Sequence, residues 1–250
     1  ALLWRYALLI VISAAMVRPA PAREKTVNGL VLPDDAAPYS EQVLRLPCDN
    51  TRNETTFDSA VTIYQVFGCG GNLFGDTLVD LDKDFTPRPA AAASWSVADD
   101  GVTWTFKLRD SQWSDGEPVT AEDFVYAFRR IQNPEIASQY SSLLYIVKNA
   151  AQVNAGELPP EELGVRAIDD RTFEITLEEP APYLLGLLTH YTTYPVPKHI
   201  VEQYGEAWIQ PENIEVNGPY KLAYWRTGDQ LVSEKNPLFY EADDVCFDRV

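Results

Sequence analysis

An apolar–polar alternation that follows an Asp-Asp-Gly turn is the sequence feature that most constrains the fold. The segment ASWSVADDGVTWTFKLR, residues 93–109, has Asp99, Asp100 and Gly101 at its centre. Gly101 can adopt the positive φ that tight hairpin turns require, and the acidic side chains favour a turn. The following apolar and polar residues alternate: Val102, Trp104, Phe106 and Leu108 on one face, Thr103, Thr105 and Lys107 on the other. This period of two predicts an antiparallel hairpin with one buried face.

The stretch WSDGEPVTAEDFVYAFRR, residues 113–130, predicts an amphipathic helix with a defined start. Thr120 is a good N-cap, and Asp123 three residues later gives an imperfect capping box. Acidic residues in the first turn and two arginines near the end both interact favourably with the helix dipole. Pro134 prevents the helix from continuing. Each residue therefore has a structural role, and no catalytic role is needed to explain its presence.

The apolar stripe of this helix predicts which side chains are buried. It consists of Phe124, Ala127, Phe128 and Ile131, spaced at i, i+3, i+4 and i+7. We expect Phe124, Phe128 and Ile131 to be buried. Glu122 and Arg130 lie off the stripe and are expected to be exposed.

The remaining segments predict an α+β fold, with mixed sheets flanked by helices. A second helix is expected over 140–155, and a second hairpin turns at Asp169 and Asp170. The apolar face of that hairpin comprises Phe173, Ile175 and Leu177. Shorter predictions are a strand at 43–48, helices at 182–190 and 198–205, and a third hairpin at 218–236 around Thr227, Gly228 and Asp229.

Residues 1–22 predict a secretory signal peptide. They contain Arg5, an apolar run over 7–17 and the small-residue triplet 20–22, so cleavage is expected after Ala22. The run is shorter than a membrane span usually needs, and retention as an uncleaved anchor is the alternative. We expect export to a periplasm-like space.

Three cysteines would then lie in an oxidising compartment, where disulfides persist. They are Cys48, Cys69 and Cys246, so at least one is free or pairs with a cysteine outside this sequence. Cys48 with Cys69 is the best internal pair on spacing alone, and the pairing stays open. A metal site is not predicted, since no C-x-x-C occurs and His190 and His199 are too far apart for a local ligand pair.

The net charge of −17 argues against binding of nucleic acid or an anionic membrane surface, because both need clustered Lys and Arg. A solvated acidic surface accounts for such a charge without any specific partner.

Several segments in series resemble the periplasmic oligopeptide-binding proteins, the family 5 extracellular solute-binding components of peptide ABC transporters. The similarity runs from about Val43 to the last residue, in the family's order and spacing. Its strongest motifs are the first hairpin, W-S-D-G-x-P-V-T-A-x-D-F, P-V-P-K and N-G-x-Y. LFGDTLVDLD and NPEIASQY add to the match.

The resemblance implies the N-terminal lobe of a two-lobed, type II-like solute-binding fold that closes over its ligand at a hinge. After the signal peptide, residues 23–74 and 198–250 would form a discontinuous hinge-connected domain, and 75–197 an accessory domain. Family members are considerably longer. A second lobe, which would supply most contacts to the peptide termini, is therefore expected beyond this chain.

The implied function is to bind oligopeptides in the periplasm and deliver them to an inner-membrane ABC permease, as a monomer without catalysis or cofactor. Five positions match ligand contacts of the family: Thr62, Ile63 and Tyr64 in VTIYQ, Tyr140 in NPEIASQY and His190 in LLTHYTTYPVPK. The peptide backbone would pair with 62–64 as an added strand. From the residues alone, Tyr140 can also be a packing residue, and His190 a structural or exposed one.

Other functions stay open at this point. Relatives of this fold also take oligosaccharides, nickel complexes or haem, and the first lobe does not fix the ligand. A secreted glycoside hydrolase would use paired carboxylates, but the acidic pairs here fall at turns or strand ends. A serine hydrolase would need a G-x-S-x-G elbow, which the sequence lacks. An adhesion or scaffold protein would bind no small solute.

Overall fold

Antiparallel pairing organises the sheets of this computed structural model, which describes residues 43–46, 56–62, 73–226 and 229–250. The strands are β1 (Val79–Leu81), β2 (Pro87–Pro89), β3 (Ala92–Val97), β4 (Thr103–Leu108), β5 (Val165–Asp169), β6 (Thr172–Thr176), β7 (Tyr220–Arg226) and β8 (Gln230–Lys235). The α-helices are α1 (Ala121–Gln132), α2 (Ala150–Asn154), α3 (Leu184–Leu187) and α4 (Lys198–Tyr204). Strands β1 and β2 pair, β7 and β8 pair, and a four-stranded sheet has the order β3-β4-β6-β5. The fold class is α+β, as predicted.

The first two predicted hairpins form the four-stranded sheet. In the first turn the Asp100 carboxylate accepts from the amides of Val102 and Thr103, both at 2.9 Å, and Gly101 has a φ of +70°. Strands β4 and β6 join the hairpins at the centre of the sheet. Of the predicted inward positions Val102 is half-buried, and the others are buried: Trp104, Phe106, Leu108, Phe173, Ile175 and Leu177.

Helix α1 covers one face of this sheet, as its apolar stripe predicts. The three stripe residues expected to be buried are 0–1% exposed. The rings of Phe124 and Phe128 lie 5.7 and 5.5 Å from that of Phe173, and burying each contributes about 1.5–3 kcal/mol. The predicted capping box is present, and the Asp123 carboxylate accepts from the Thr120 amide at 2.8 Å and its hydroxyl at 3.0 Å.

The prediction that Arg130 is exposed is wrong, although Glu122 is exposed as expected. The Arg130 side chain is only 12% exposed and forms an ion pair with Asp58. The stripe identifies the face that packs on the sheet. It does not show that an earlier segment of the chain packs against the flank of the helix and buries Arg130 there.

The prediction of one continuous helix over 140–155 is also wrong. The chain forms a 3-10 helix at Ser141–Leu144 and then the five-residue α2. Between them Val147 makes an isolated antiparallel bridge with Leu177. Asn149 has a φ of +63°, which interrupts any continuous helix. Pairing with the edge of a distant strand therefore overrides the local helical preference.

The shorter helices and the third hairpin are confirmed. Helix α3 lies within 182–190, and α4 within 198–205 ends before Gly205, whose φ is +56°. Strands β7 and β8 pair as the third hairpin. Thr227 and Gly228 of its predicted turn lie outside the described residues.

The strand predicted at 43–48 is much reduced in the part that the structure describes. Val43 makes one parallel bridge with Arg249, and residues 44–46 have no strand assignment. The alternating pattern there is too short to specify a partner strand.

Two hydrophobic cores meet at α1. The first lies between α1 and the four-stranded sheet and includes Phe124 and Phe128. The second gathers Phe57, Phe74, Ala127 and side chains from 191–222. Because Ala127 contributes to the second core, α1 is packed between the two.

The W-S-D-G motif connects the approach to α1 with the second core. The Ser114 amide donates to the Val216 carbonyl at 2.9 Å, and its hydroxyl accepts from the Val216 amide at 3.0 Å. Asp115 lies 2.9 Å from Nε2 of His199 in α4. The motif therefore has a structural role, as the sequence indicates.

Candidate functional site

An aromatic cluster of Tyr140, His190 and Tyr191 lies beside the second core. The His190 and Tyr191 rings stack, with centroids 4.3 Å and planes 30° apart. The Tyr140 ring lies 5.2 Å from His190 and, nearly perpendicular, 5.9 Å from Tyr191. The structure thus brings together Tyr140 and His190, two of the predicted site residues.

Two short helices place these residues. Tyr140 is the residue before the 3-10 helix Ser141–Leu144, and its carbonyl accepts from the Leu143 amide at 3.0 Å. His190 follows α3, and its amide donates to the Leu187 carbonyl at 3.1 Å. Both side chains are half-buried, so each keeps one part of its ring accessible.

Hydrogen bonding and burial favour one neutral form of His190. Its Nδ1 accepts from the Thr192 amide at 3.4 Å and lies 3.0 Å from the Thr192 hydroxyl oxygen, and the tautomer with its proton on Nε2 lets Nδ1 accept from both groups. Burial lowers the pKa of His190 below its ordinary value. In that form the imidazole is uncharged and its Nε2–H group is available to another acceptor.

Tyr191 connects the cluster with the predicted loop. It is 7% exposed, and its hydroxyl lies 3.5 Å from the Thr62 carbonyl. Burial raises the pKa of Tyr191, and a hydrogen bond with Tyr140 adds to the effect. The sequence analysis did not identify Tyr191. The available signal was a Tyr directly after the candidate His190 in LLTHYTTYPVPK.

Asp58 organises the turn that leads to Thr62. Its carbonyl accepts from the amides of Val61 and Thr62 at 3.0 and 2.8 Å, and its carboxylate from the Ala60 amide at 3.0 Å. The same carboxylate binds the Arg130 guanidinium. Helix α1 thereby holds the turn in place, a role that the sequence analysis missed.

Thr62 is 3% exposed, and the Tyr191 hydroxyl approaches its backbone carbonyl rather than its side chain. The two following predicted contacts, Ile63 and Tyr64, lie outside the described residues. Three of the five predicted positions can therefore be located, and all three lie around Tyr191.

A second group of ionisable residues surrounds Asp76, just before β1. The Tyr240 hydroxyl donates to the Asp76 carboxyl at 2.7 Å, and the Arg109 guanidinium lies 4.9 Å from the Tyr240 ring centroid. Desolvation raises the pKa of Asp76 to about 7, although the Tyr240 hydrogen bond opposes the shift. Asp76 therefore titrates near neutral pH.

Two glycines allow three sequence motifs to converge beside Asp76. The Asn217 side-chain amide donates to the Asp76 carbonyl at 2.9 Å and accepts from its amide at 3.0 Å. A Cβ on Gly75 would lie 2.4 Å from the Tyr194 ring, and one on Gly218 would lie 2.6 Å from the backbone preceding Gly75. Because Gly75 and Gly218 have no side chain, the segments LFGD, YPVPK and NGPY can pack this closely.

The aromatic cluster presents groups suited to reversible binding. It offers a neutral imidazole N–H, phenol hydroxyls and ring faces. Within the described ranges, no three His, Cys, Asp or Glu side chains come together to hold a metal ion. Cys246 is in no disulfide, whereas Cys48 and Cys69 lie outside the described part, so their pairing stays a prediction. The helices of the described part include none with the length and apolar character to cross a bilayer.

The sequence profile of the bacterial extracellular solute-binding proteins, family 5 (middle), matches residues 86–250. The chain belongs to this family. The matched region of this family 5 protein includes the four-stranded sheet, α1 and the aromatic cluster.

Two curated relatives of this family 5 protein are named as peptide-binding proteins. It is 45% identical to the periplasmic oligopeptide-binding protein OppA of Salmonella typhimurium over 182 residues, which are 72% of this chain and 33% of that protein. It is 33% identical to the dipeptide-binding protein DppE of Bacillus subtilis over 218 residues, 87% of this chain and 40% of the relative. The chain therefore spans between a third and two fifths of the length of these relatives.

Solved structures confirm the fold. Haemophilus influenzae OppA, in complex with RPPGFSPFR, matches with a TM-score of 0.77 and 38% identity over 81% of this chain and 40% of that chain. Burkholderia pseudomallei OppA matches with a TM-score of 0.75 and 37% identity over 78% of this chain and 38% of that one. The described fold is thus that of periplasmic peptide-binding proteins.

Proposed function

We propose that this chain is part of the substrate-binding component of an ABC importer, which binds oligopeptides in the periplasm and delivers them to a membrane permease. The observation that carries the proposal is the match to H. influenzae OppA, which was solved in complex with the peptide RPPGFSPFR. The protein acts as a monomer, and it binds and releases its ligand without a chemical step.

The aromatic cluster supports peptide binding. A peptide backbone can pair as an added strand with residues 62–64, independently of its sequence. The turn that precedes these residues is held by the Asp58–Arg130 pair, and Tyr191 approaches the Thr62 carbonyl. Tyr140 and His190 lie within the same cluster and supply ring faces and donors for the ligand.

The two hydrophobic cores support the expected division into domains. One core lies mainly within 75–197, which we assign to the accessory domain. The other combines Phe57 and Phe74 with side chains from 191–222, which supports a discontinuous domain of 23–74 and 198–250, although Ala127, Tyr191 and Val196 of 75–197 also contribute to it. A further lobe would close over the peptide by a hinge motion.

Calorimetry with mixed tri- to pentapeptides tests the proposal. We expect micromolar or tighter binding by a chimera in which this chain replaces the matching third of S. typhimurium OppA, and binding by intact OppA is the positive control. The 250-residue chain alone should bind weakly or not at all. One open lobe cannot exclude water, and each exposed hydrogen bond gains about 1 kcal/mol at best, against an association cost of about 4 kcal/mol or more. A folded chimera that binds no peptide would refute the proposal.

A second ligand class is favoured by one relative. The chain is 39% identical over 176 residues to the Escherichia coli protein named "Probable deoxycholate-binding periplasmic protein YgiS". Ring faces and hydroxyls could also hold an amphipathic carboxylate. Deoxycholate therefore belongs in the same titration, and tighter binding of deoxycholate than of any peptide would select this alternative.

Export through a cleaved signal peptide is part of the proposal. The sequence of 1–22 supports it, and the relatives named as periplasmic agree with it. Expression in a Gram-negative host should give periplasmic protein that begins at Arg23. Terminal sequencing that finds residues 1–22 intact on a membrane-bound product would replace export with anchoring.

A further inference from the structure

Tyr191 is the most constrained member of the aromatic cluster. It is 7% exposed and packs in the second core. Its hydroxyl bonds with Tyr140 and lies 3.5 Å from the Thr62 carbonyl. Its packing in the second core holds the ring in place, and the hydroxyl contacts add to this.

His190 depends on its neighbours for orientation. Its Nδ1 is held by Thr192, and one face of its ring stacks on Tyr191 at 4.3 Å. Among the described residues, Nε2 has no hydrogen-bond partner. The stacked ring and the Thr192 amide together therefore determine where the Nε2–H group points.

We propose that Tyr191 is a positioning residue, which holds the His190 ring so that Nε2–H donates a hydrogen bond to an acceptor oxygen of the ligand. The acceptor is a carbonyl or carboxylate oxygen of a peptide, and a cationic ligand side chain is disfavoured because the imidazole presents a donor. This inference rests on the proposed peptide-binding function. The ionisable groups packed against the imidazole are the hydroxyls of Tyr140 and Tyr191. Desolvation by burial is what lowers the pKa of His190.

Proton NMR of the ligand-free 250-residue chain tests the positioning directly. The chain has two histidines, so the imidazole spectrum is simple, and His199→Gln assigns its two sets of signals. Tyr191→Leu removes the stacked ring, and the midpoint of the His190 titration should rise toward that of an exposed histidine. Tyr191→Phe keeps the ring and should leave the midpoint unchanged. A nuclear Overhauser contact between the two rings is expected in the unsubstituted chain.

Peptide affinity tests the consequence, in the chimera described above. Tyr191→Leu should weaken binding about 10-fold, as expected for one well-placed hydrogen bond, and Tyr191→Phe less than about 3-fold. His190→Leu should have the effect of Tyr191→Leu. His190→Gln, which retains a neutral N–H donor, should restore most of the affinity.

An unchanged His190 midpoint in a folded Tyr191→Leu variant would overturn the proposal. So would a midpoint that moves equally in Tyr191→Phe, since the ring would then not be the cause. If Tyr191→Leu does not fold, the ring contact in the unsubstituted chain and the Tyr191→Phe titration decide the question. If the unsubstituted chimera binds no peptide, the proposed function fails, and the titration still tests the positioning of His190.

Discussion

Arg130 donates two hydrogen bonds to Asp58, each 2.5 Å long, across 72 residues of sequence. The two side chains are 12% and 7% exposed. The pair links α1 with the turn that leads into the predicted peptide-pairing segment. The same contact therefore supports both the packing of α1 and the turn before the proposed peptide-pairing segment.

Asp58→Asn is expected to lower the free energy of unfolding by about 3–5 kcal/mol, because it leaves a largely buried guanidinium without its charged partner. Urea unfolding followed by circular dichroism measures the change. The control is Arg226→Ala, which breaks a pair with Asp229 in which the two side chains are 68% and 51% exposed, and should cost less than about 1 kcal/mol. Equal losses in both variants would contradict the expectation.

Asp76→Asn should change how stability depends on pH. The folded-state pKa of Asp76 is raised to about 7, so between about pH 4 and pH 7 the folded chain retains a proton that the unfolded chain has released. The free energy of unfolding therefore falls as the pH rises through this window. We expect Asp76 to contribute about 1–3 kcal/mol of that fall, less than the full shift would give, because solvent reaches part of the residue.

Urea unfolding at pH 5 and pH 8 measures this slope. Asp76→Asn should reduce it, whereas Asp99→Asn at the exposed β3–β4 turn should retain it, because Asp76 is still present. An Asp76→Asn variant with an undiminished slope would assign the pH dependence to other groups.

Phe128→Ala should destabilise the protein by about 3–5 kcal/mol, because the side chain is 1% exposed and its removal leaves a cavity against Phe173. Phe85→Ala is the matched control, since Phe85 is 82% exposed and should change stability by less than about 0.5 kcal/mol. The midpoints of thermal unfolding compare the two. A larger effect at Phe85 would contradict the burial of Phe128 against Phe173.

Gly75→Ala should destabilise the protein by about 1–3 kcal/mol, because its Cβ would overlap the Tyr194 ring. Gly186→Ala has no atom within 4 Å of the new Cβ and lies in α3, so it should be neutral or stabilise by about 0.5–1 kcal/mol. Chemical denaturation measures both variants. Gly75→Ala should cost less free energy of unfolding in a Tyr194→Ala background than in the unsubstituted protein, because the overlap with the ring is then absent.

The sequence predicts the features that neighbouring residues determine. The Asp100–Gly101 turn and the stripe of Phe124 and Phe128 follow from local spacing, and all are found as expected. The resemblance also predicts Tyr140 and His190 as ligand contacts, and the structure places their rings 5.2 Å apart.

The features that the sequence did not predict depend on partners distant along the chain. Arg130 lies outside the apolar stripe, and its burial depends on Asp58. The bridge from Val147 to Leu177 interrupts a segment whose composition favours a helix. The Tyr191 hydroxyl reaches the Thr62 carbonyl, 129 residues earlier in the chain. Residue spacing does not encode any of these contacts.

The second core has a consequence for the order of folding. Phe57 and Phe74 pack with side chains from 191–222, and the whole four-stranded sheet lies between them in sequence. Closing so long a loop costs more entropy than closing either hairpin of the sheet, and isolated hairpins form within about 1–10 μs. Early formation of the sheet would bring Gly75 and Tyr194 toward each other and shorten the loop still to be closed. The sheet would then guide the assembly of the core beside the aromatic cluster, and mutations that slow its hairpins should also delay formation of the cluster.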